Sequence, residues 1–164
     1  MGCVIRPATE ADIPAILAIY NDAVLNQTSI WNDTRAELAE RRIWWQARAA
    51  QNYPVLVGEI GADVCAYASF GDFRPFQGYR YTVEHSVYVA PPRQRRGIGA
   101  MLLGRLIEDA RSLGKHVMVG GIAADNLASL ALHARLGFTE TARMPEVGYK
   151  FGRWLDLVFV QKTL

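Results

Sequence analysis

The sequence predicts a mixed α/β domain, and three observations carry that reading. Three extended runs follow one another in mid-chain, the strongest amphipathic helical pattern comes directly after them, and short extended and helical patterns then alternate to the end. Taken in order, Thr9 with Asp12 forms a capping signal, and Ile13, Ile16, Leu17, Tyr20 and Val24 fall on one helical face, which predicts a helix over about 10–26. Thr34 with Glu37 reads as a capping box opening a second helix that runs through Trp44 and Trp45 to about residue 50. Residues 54–60, 64–70 and 79–89 are the extended runs, the first two separated by Gly61-Ala62-Asp63, and they predict an antiparallel meander. Ile98, Leu102, Leu103, Leu106, Ile107, Ala110 and Leu113 then recur at spacings of three and four until Gly114 stops the helix. Residues 116–122 read as a strand, Asn126 opens a helix that ends at Gly137, and runs over 138–142 and 154–164 complete the sheet.

No repeat, low-complexity tract or linker divides the 164 residues, so the chain reads as one domain over 1–164. A formal charge of +2, from 18 basic and 16 acidic side chains, is too small to point to a polyanion partner, so any anion site is local. No apolar stretch approaches the roughly 20 residues that span a bilayer, and the N-terminus lacks a signal-like apolar core. Two cysteines on separate segments, Cys3 and Cys65, fit a reducing, cytoplasmic setting better than a disulfide framework. The expectation is a protein that binds neither membrane nor nucleic acid.

The most informative segment is Gln94-Arg95-Arg96-Gly97-Ile98-Gly99-Ala100, between a strand and the best helix. The first turn of a helix leaves up to four N–H groups without intrahelical partners, and the helix dipole favours an anion there. Glycines let a phosphate approach those amides, and the arginines add attraction. A solvated basic turn is the plain alternative. A P-loop is excluded because Ala100 and Met101 stand where Lys and Ser or Thr are needed, and Leu102 breaks the dinucleotide fingerprint. The spacing of His85, His116 and His133 forms no recognisable zinc set, so no metal is expected.

Gln94-x-x-Gly97-x-Gly99 after a strand, then Asn126-x-x-Ser129, then Leu136-Gly137-Phe138, resembles the signature of the GCN5-related N-acetyltransferase (GNAT) family. The resemblance implies the GNAT fold, a central mixed and mostly antiparallel sheet flanked by about four helices, with acetyl-CoA as cosubstrate. It implies that Arg95, Arg96, Gly97, Ile98, Gly99 and Ala100 cradle the coenzyme A diphosphate. Val87, Tyr88 and Val89 would meet the pantetheine arm where their strand parts from its neighbour. Asn126 would bind the distal arm, with Arg135 as a further candidate; an ordinary N-cap is the other reading of Asn126. The stretches 82–89, 150–156 and 70–76 resemble more closely the branch that acetylates phosphinothricin, methionine sulfoximine and methionine sulfone. That branch implies a small α-amino-acid acceptor, a homodimer, and Arg74, Pro75, Phe76, Glu84, His85 and Ser86 beside the acceptor.

An α-amino group with a pKa of about 8 is mostly protonated at pH 7 and must lose a proton before it attacks a thioester. Glu84, partly desolvated on a central strand, is the candidate base; a structural pairing with an arginine is the alternative. Strand alternation puts Glu84, Ser86 and Tyr88 on one face and His85, Val87 and Val89 on the other. His85 as a second base at the acceptor therefore requires a bulge or twist. Many family members place a tyrosine four residues before the Gly-Phe pair to protonate the departing thiolate. Here that position is His133, either a general acid or a packed helix histidine. Arg74 offers a two-pronged donor for an acceptor carboxylate, with Arg80 as competitor. A protein or peptide N-acetyltransferase and a CoA-binding sensor without catalysis remain as alternatives.

Overall fold

The computed structural model describes residues 2–164. Its single sheet of seven strands runs β1-β2-β3-β4-β5-β7-β6, with β1 Val4–Pro7, β2 Val55–Ile60, β3 Asp63–Asp72, β4 Thr82–Val89, β5 Val117–Ala123, β6 Thr139–Lys150 and β7 Arg153–Thr163. All neighbours are antiparallel except β4 and β5. The mid-chain meander is β2, β3 and β4, as the turn signal and apolar runs predict.

Helices α1 (Ile13–Asn26) and α2 (Leu38–Ala50) cover one face of the sheet, and α3 (Ile98–Ser112) and α4 (Leu127–Arg135) the other. Burial on both faces explains why the central strands read as near-continuous apolar runs. Val55 and Val57 of β2 pack with Ile13, Ile16 and Ile19 of α1, while Leu56 between them joins Leu102, Leu103 and Leu106 of α3. Each such leucine, wholly removed from water, contributes about 1.5–3 kcal/mol. The three-and-four spacing that predicts α3 is thus its core-facing stripe.

Three elements differ from expectation. The second helix begins at Leu38, and the side chain that reaches back to its start is Glu40, which accepts from the Glu37 N–H at 2.7 Å; Thr34 lies outside it. The cause is Asn21, buried on α1, whose amide donates to the Ala36 carbonyl at 3.0 Å and accepts from the Ala36 N–H at 2.8 Å. With both backbone groups of Ala36 committed to Asn21, the helix starts only beyond it. Strand β1 is too short to show a period and is legible only through its pairing with β2. Strand β6 extends to Lys150, well past residue 142, because it is an edge strand whose register shifts twice and whose side chains are mostly exposed, so its sequence carries little alternation.

Candidate active site

Strands β4 and β5 are paired only through Thr82–Val117, Val83–Met118 and Glu84–Val119. Beyond that point β4 continues against β3 as far as Val89, and β5 continues against β7 as far as Ala123. The two halves of the sheet therefore part, and the facing backbone of each is left without a strand partner. A cleft of about 1060 Å³ occupies the opening and runs from the C-terminal end of α1 to the N-terminal ends of α3 and α4.

At one end lies the glycine loop. Gly97 has φ +81°, a left-handed conformation in which a side chain is strained, and it turns the chain into α3. The first intrahelical bond that closes on this loop runs from the Met101 N–H to the Gly97 carbonyl at 3.1 Å. The amides of Ile98, Gly99 and Ala100 precede it, no side chain caps them, and all three residues line the cleft. A Cβ on Gly99 would lie 3.3 Å from Leu132, so this glycine serves close packing of α3 on α4. Gln94 fixes the approach by donating to the Val89 carbonyl at 3.0 Å. Arg95, with φ +62°, lines the cleft together with Arg93 and Arg135. Val87, Tyr88 and Val89 form its β4 wall. Asn126 also lines it and is the N-cap of α4, its Oδ1 accepting from the Ser129 N–H at 3.1 Å. Arg96 is exposed and is not part of the wall.

At the other end, Glu84 and Ser86 project from β4 on the α1 side. Burial pushes the Glu84 carboxyl above its ordinary range, and the Arg74 guanidinium partly counteracts this. Arg74 itself stacks on Phe73 at 4.4 Å and, like Pro75 and Phe76, lies outside the cleft wall; Phe76 is 71% exposed. Burial also raises the Tyr88 phenol to about 12.

The register of β3 on β4 is unbroken, so no bulge turns His85 toward Glu84. His85 points to the α4 side. Its Nδ1 lies 2.9 Å from the Val119 carbonyl oxygen, its Nε2 lies 2.8 Å from His133 Nε2, and its ring stacks on Phe138 at 5.4 Å. His133 Nδ1 lies 2.7 Å from the Ser129 carbonyl oxygen. Both imidazoles border the cleft, and Gly120 is required beside them, since a Cβ there would fall 2.3 Å from His85 Cε1. Burial and the neighbouring His133 hold His85 down to about 3, and burial lowers His133.

Several wall residues carry no sequence signal of their own. Asn26, Gln27, Thr28 and Ser29 close the Glu84 end of the cleft, and Arg48 reaches it across Gly71, where a Cβ would lie 2.6 Å from the guanidinium. The 27–30 turn is held by Lys150, only 1% exposed, whose Nζ donates to the carbonyls of Gln27 at 2.6 Å and Ile30 at 2.5 Å. A lysine on a strand normally reads as a solvated side chain. Among the described residues no three His, Cys, Asp or Glu side chains are grouped as a metal site, and no helix is long and apolar enough to cross a membrane.

Comparison with known proteins agrees with this geometry. The acetyltransferase (GNAT) family matches residues 16–138. The L-methionine sulfoximine/L-methionine sulfone acetyltransferase of Salmonella typhimurium is 58% identical over 160 residues, covering 98% of this chain and 94% of that one. The L-amino acid N-acyltransferase MnaT of Escherichia coli is 57% identical over 160 residues, covering 98% and 93%. The structure of Salmonella typhimurium yncA with its cofactor acetyl-CoA superimposes with a TM-score of 0.98 at 56% identity, covering 100% of this chain and 95% of that one. The chain belongs to the acetyltransferase (GNAT) family and is an N-acetyltransferase.

Proposed function

We propose that the protein transfers the acetyl group of acetyl-CoA to the α-amino group of a small amino acid of the methionine sulfoximine, methionine sulfone or phosphinothricin type. The observation that carries this reading is the continuity of the cleft, which joins the uncapped amides of α3 to the Glu84 carboxyl through the opening between β4 and β5. Free amides at a helix N-terminus, with Arg93, Arg95 and Arg135 around them, suit a diphosphate. The partnerless backbone of β4 at Val87, Tyr88 and Val89 suits an amide-bearing arm that adds to the strand edge. Acetyl-CoA held there supplies an activated acyl carbonyl and a thiol leaving group.

Glu84 takes the proton from the acceptor ammonium, and its raised pKa brings it toward the range a general base needs. Ser86, on the same face, and the 26–29 turn border the acceptor. Arg74 acts on the acceptor end through its charge, which Glu84 already feels. Arg96, Pro75, Phe76 and His85 are assigned to ligand binding by family resemblance alone. His133 is the candidate acid. The 57–58% identity of amino-acid acetylating relatives over nearly the whole chain supports the substrate class. The long exposed edge of β6, with Tyr149 and Trp154 exposed across β6 and β7, suits the homodimer that the branch implies. Free thiols at Cys3 and Cys65 suit a reducing compartment.

The test is thiol release from acetyl-CoA against free amino acids and their sulfone, sulfoximine and phosphinic analogues, with product masses recorded. Acetylated small amines with the wild type support the reading. Acetylation of peptides alone, or release with no amine at all, overturns it.

A further inference from the structure

We infer that His85 and His133 hold one ionisable proton in common, and that His85 is a positioning residue that makes the pair, and not His133 alone, the proton donor at the cleft. The inference rests on the acetyl-transfer reading and on a count of hydrogens. A backbone carbonyl oxygen only accepts. His85 Nδ1 lies 2.9 Å from the Val119 oxygen and His133 Nδ1 lies 2.7 Å from the Ser129 oxygen, so each Nδ1 carries a hydrogen. A neutral imidazole carries one hydrogen, so both Nε2 atoms would then present lone pairs to each other at 2.8 Å. Two neutral rings supply two hydrogens to three short contacts. A third hydrogen between the Nε2 atoms satisfies all three and gives the pair a single positive charge.

The surroundings hold this arrangement in place. Phe138 stacks on His85 at 5.4 Å, and the ring fills the space that the missing side chain of Gly120 leaves. The charged and titratable groups on the surrounding elements are few. On β4 they are Glu84 and the phenol of Tyr88, both on the opposite face; β5 has none; α4 carries Arg135 in its last turn; and Lys162 of β7 lies by Gly137. The residues of α3 buried toward this core are aliphatic. With no carboxylate in contact, the Val119 and Ser129 carbonyls and the shared hydrogen bond favour the charged form, while burial, and for His85 a charge on His133, oppose it. The pair keeps its proton to higher pH than either buried ring would alone. In the acyl-transfer step the shared hydrogen leaves the Nε2–Nε2 contact: one Nε2–H bond breaks as the thiolate sulfur gains an S–H bond, and two neutral rings remain. The proton released by the attacking amine, passed through solvent, restores the charge.

The direct test is NMR of the wild-type protein with 15N-labelled histidine, the His85 and His133 signals assigned by their loss in single-site variants. The expected result is a protonated Nδ1 on both His85 and His133, with their Nε2 signals losing one proton together in a single step. One ring protonated only at Nε2, or two rings titrating independently, overturns the inference. The functional test is the pH profile of kcat for His85→Gln, because glutamine can donate to His133 Nε2 but has no ionisable proton. Acetyl-CoA affinity within about twofold of wild type verifies folding. The alkaline limb should move about one pH unit or more to lower pH, and an unchanged limb overturns the positioning role. A wild type that releases no thiol with any amine overturns the functional reading instead, and the NMR result stands apart from it.

Discussion

Glu84 and Val119 are the last paired residues of β4 and β5, and everything the cleft does begins at that pair. Glu84 projects its carboxyl into the cleft, while the Val119 carbonyl faces His85 Nδ1 at 2.9 Å. The point where the sheet parts thus carries the candidate base on one face and ties down the histidine pair on the other.

Replacing Glu84 with Gln keeps the shape and removes the proposed base. Thiol-release assays should show kcat lower by about 10²–10⁴-fold, with acetyl-CoA affinity unchanged by calorimetry. A base works only when deprotonated, so wild-type activity should fall as pH drops through the raised Glu84 pKa. That acid limb should disappear in the variant, and equal rates in both proteins would remove Glu84 from the role.

Lys150→Met leaves the volume and deletes the ammonium that binds the carbonyls of Gln27 and Ile30. Leaving buried acceptors without a donor should cost about 1–3 kcal/mol in denaturant unfolding. The turn these carbonyls belong to lines the cleft at the proposed acceptor end, so KM for the amine should rise while acetyl-CoA affinity is kept.

Gly120→Ala forces a methyl into the space of His85 Cε1. Overpacking of this kind costs about 1–3 kcal/mol. Thermal unfolding should register that loss, and the 2.8 Å contact between the two imidazoles should open, moving the pH profile in the same direction as His85→Gln. Full retention of both stability and pH profile would contradict the packing described here.

Asp12 is held down to about 2, chiefly by its hydrogen bond to Arg6 at 2.7 Å and further by the Thr9 N–H. A folded-state pKa below the unfolded value of about 3.9 contributes stability that is complete above that value and is lost as pH falls through the folded one. The Asp12 side chain is only 8% exposed, so the contribution is about 2 kcal/mol. Asp12→Asn should remove it at neutral pH and flatten the stability curve between about pH 4 and 2.

What could be read from the chain depended on whether a feature was local. Helix α3, the meander and the glycine loop each follow from residues within a few positions of one another, and all stand where the patterns place them. Alternation along β4 correctly separates Glu84 from His85, and the bulge needed to reunite them is not there. The start of α2 was hidden because the residue that delays it, Asn21, is 15 positions from Ala36. Arg48, Gly71 and the 26–29 turn reach one wall from three distant segments, and Lys150 is buried by a loop 120 residues away, so no local pattern exposes any of them. The pairing of His85 with His133 spans 48 positions and is equally silent in the sequence.

The central claim is that the opening between β4 and β5, headed by the amides of Ile98, Gly99 and Ala100, receives acetyl-CoA. Calorimetric titration of acetyl-CoA into the intact protein tests it most directly. The account predicts saturable binding of one molecule per chain, weakened at least tenfold by Gly97→Val, whose branched side chain is strained at φ +81°. A correctly folded wild-type protein that takes up no acetyl-CoA would contradict it.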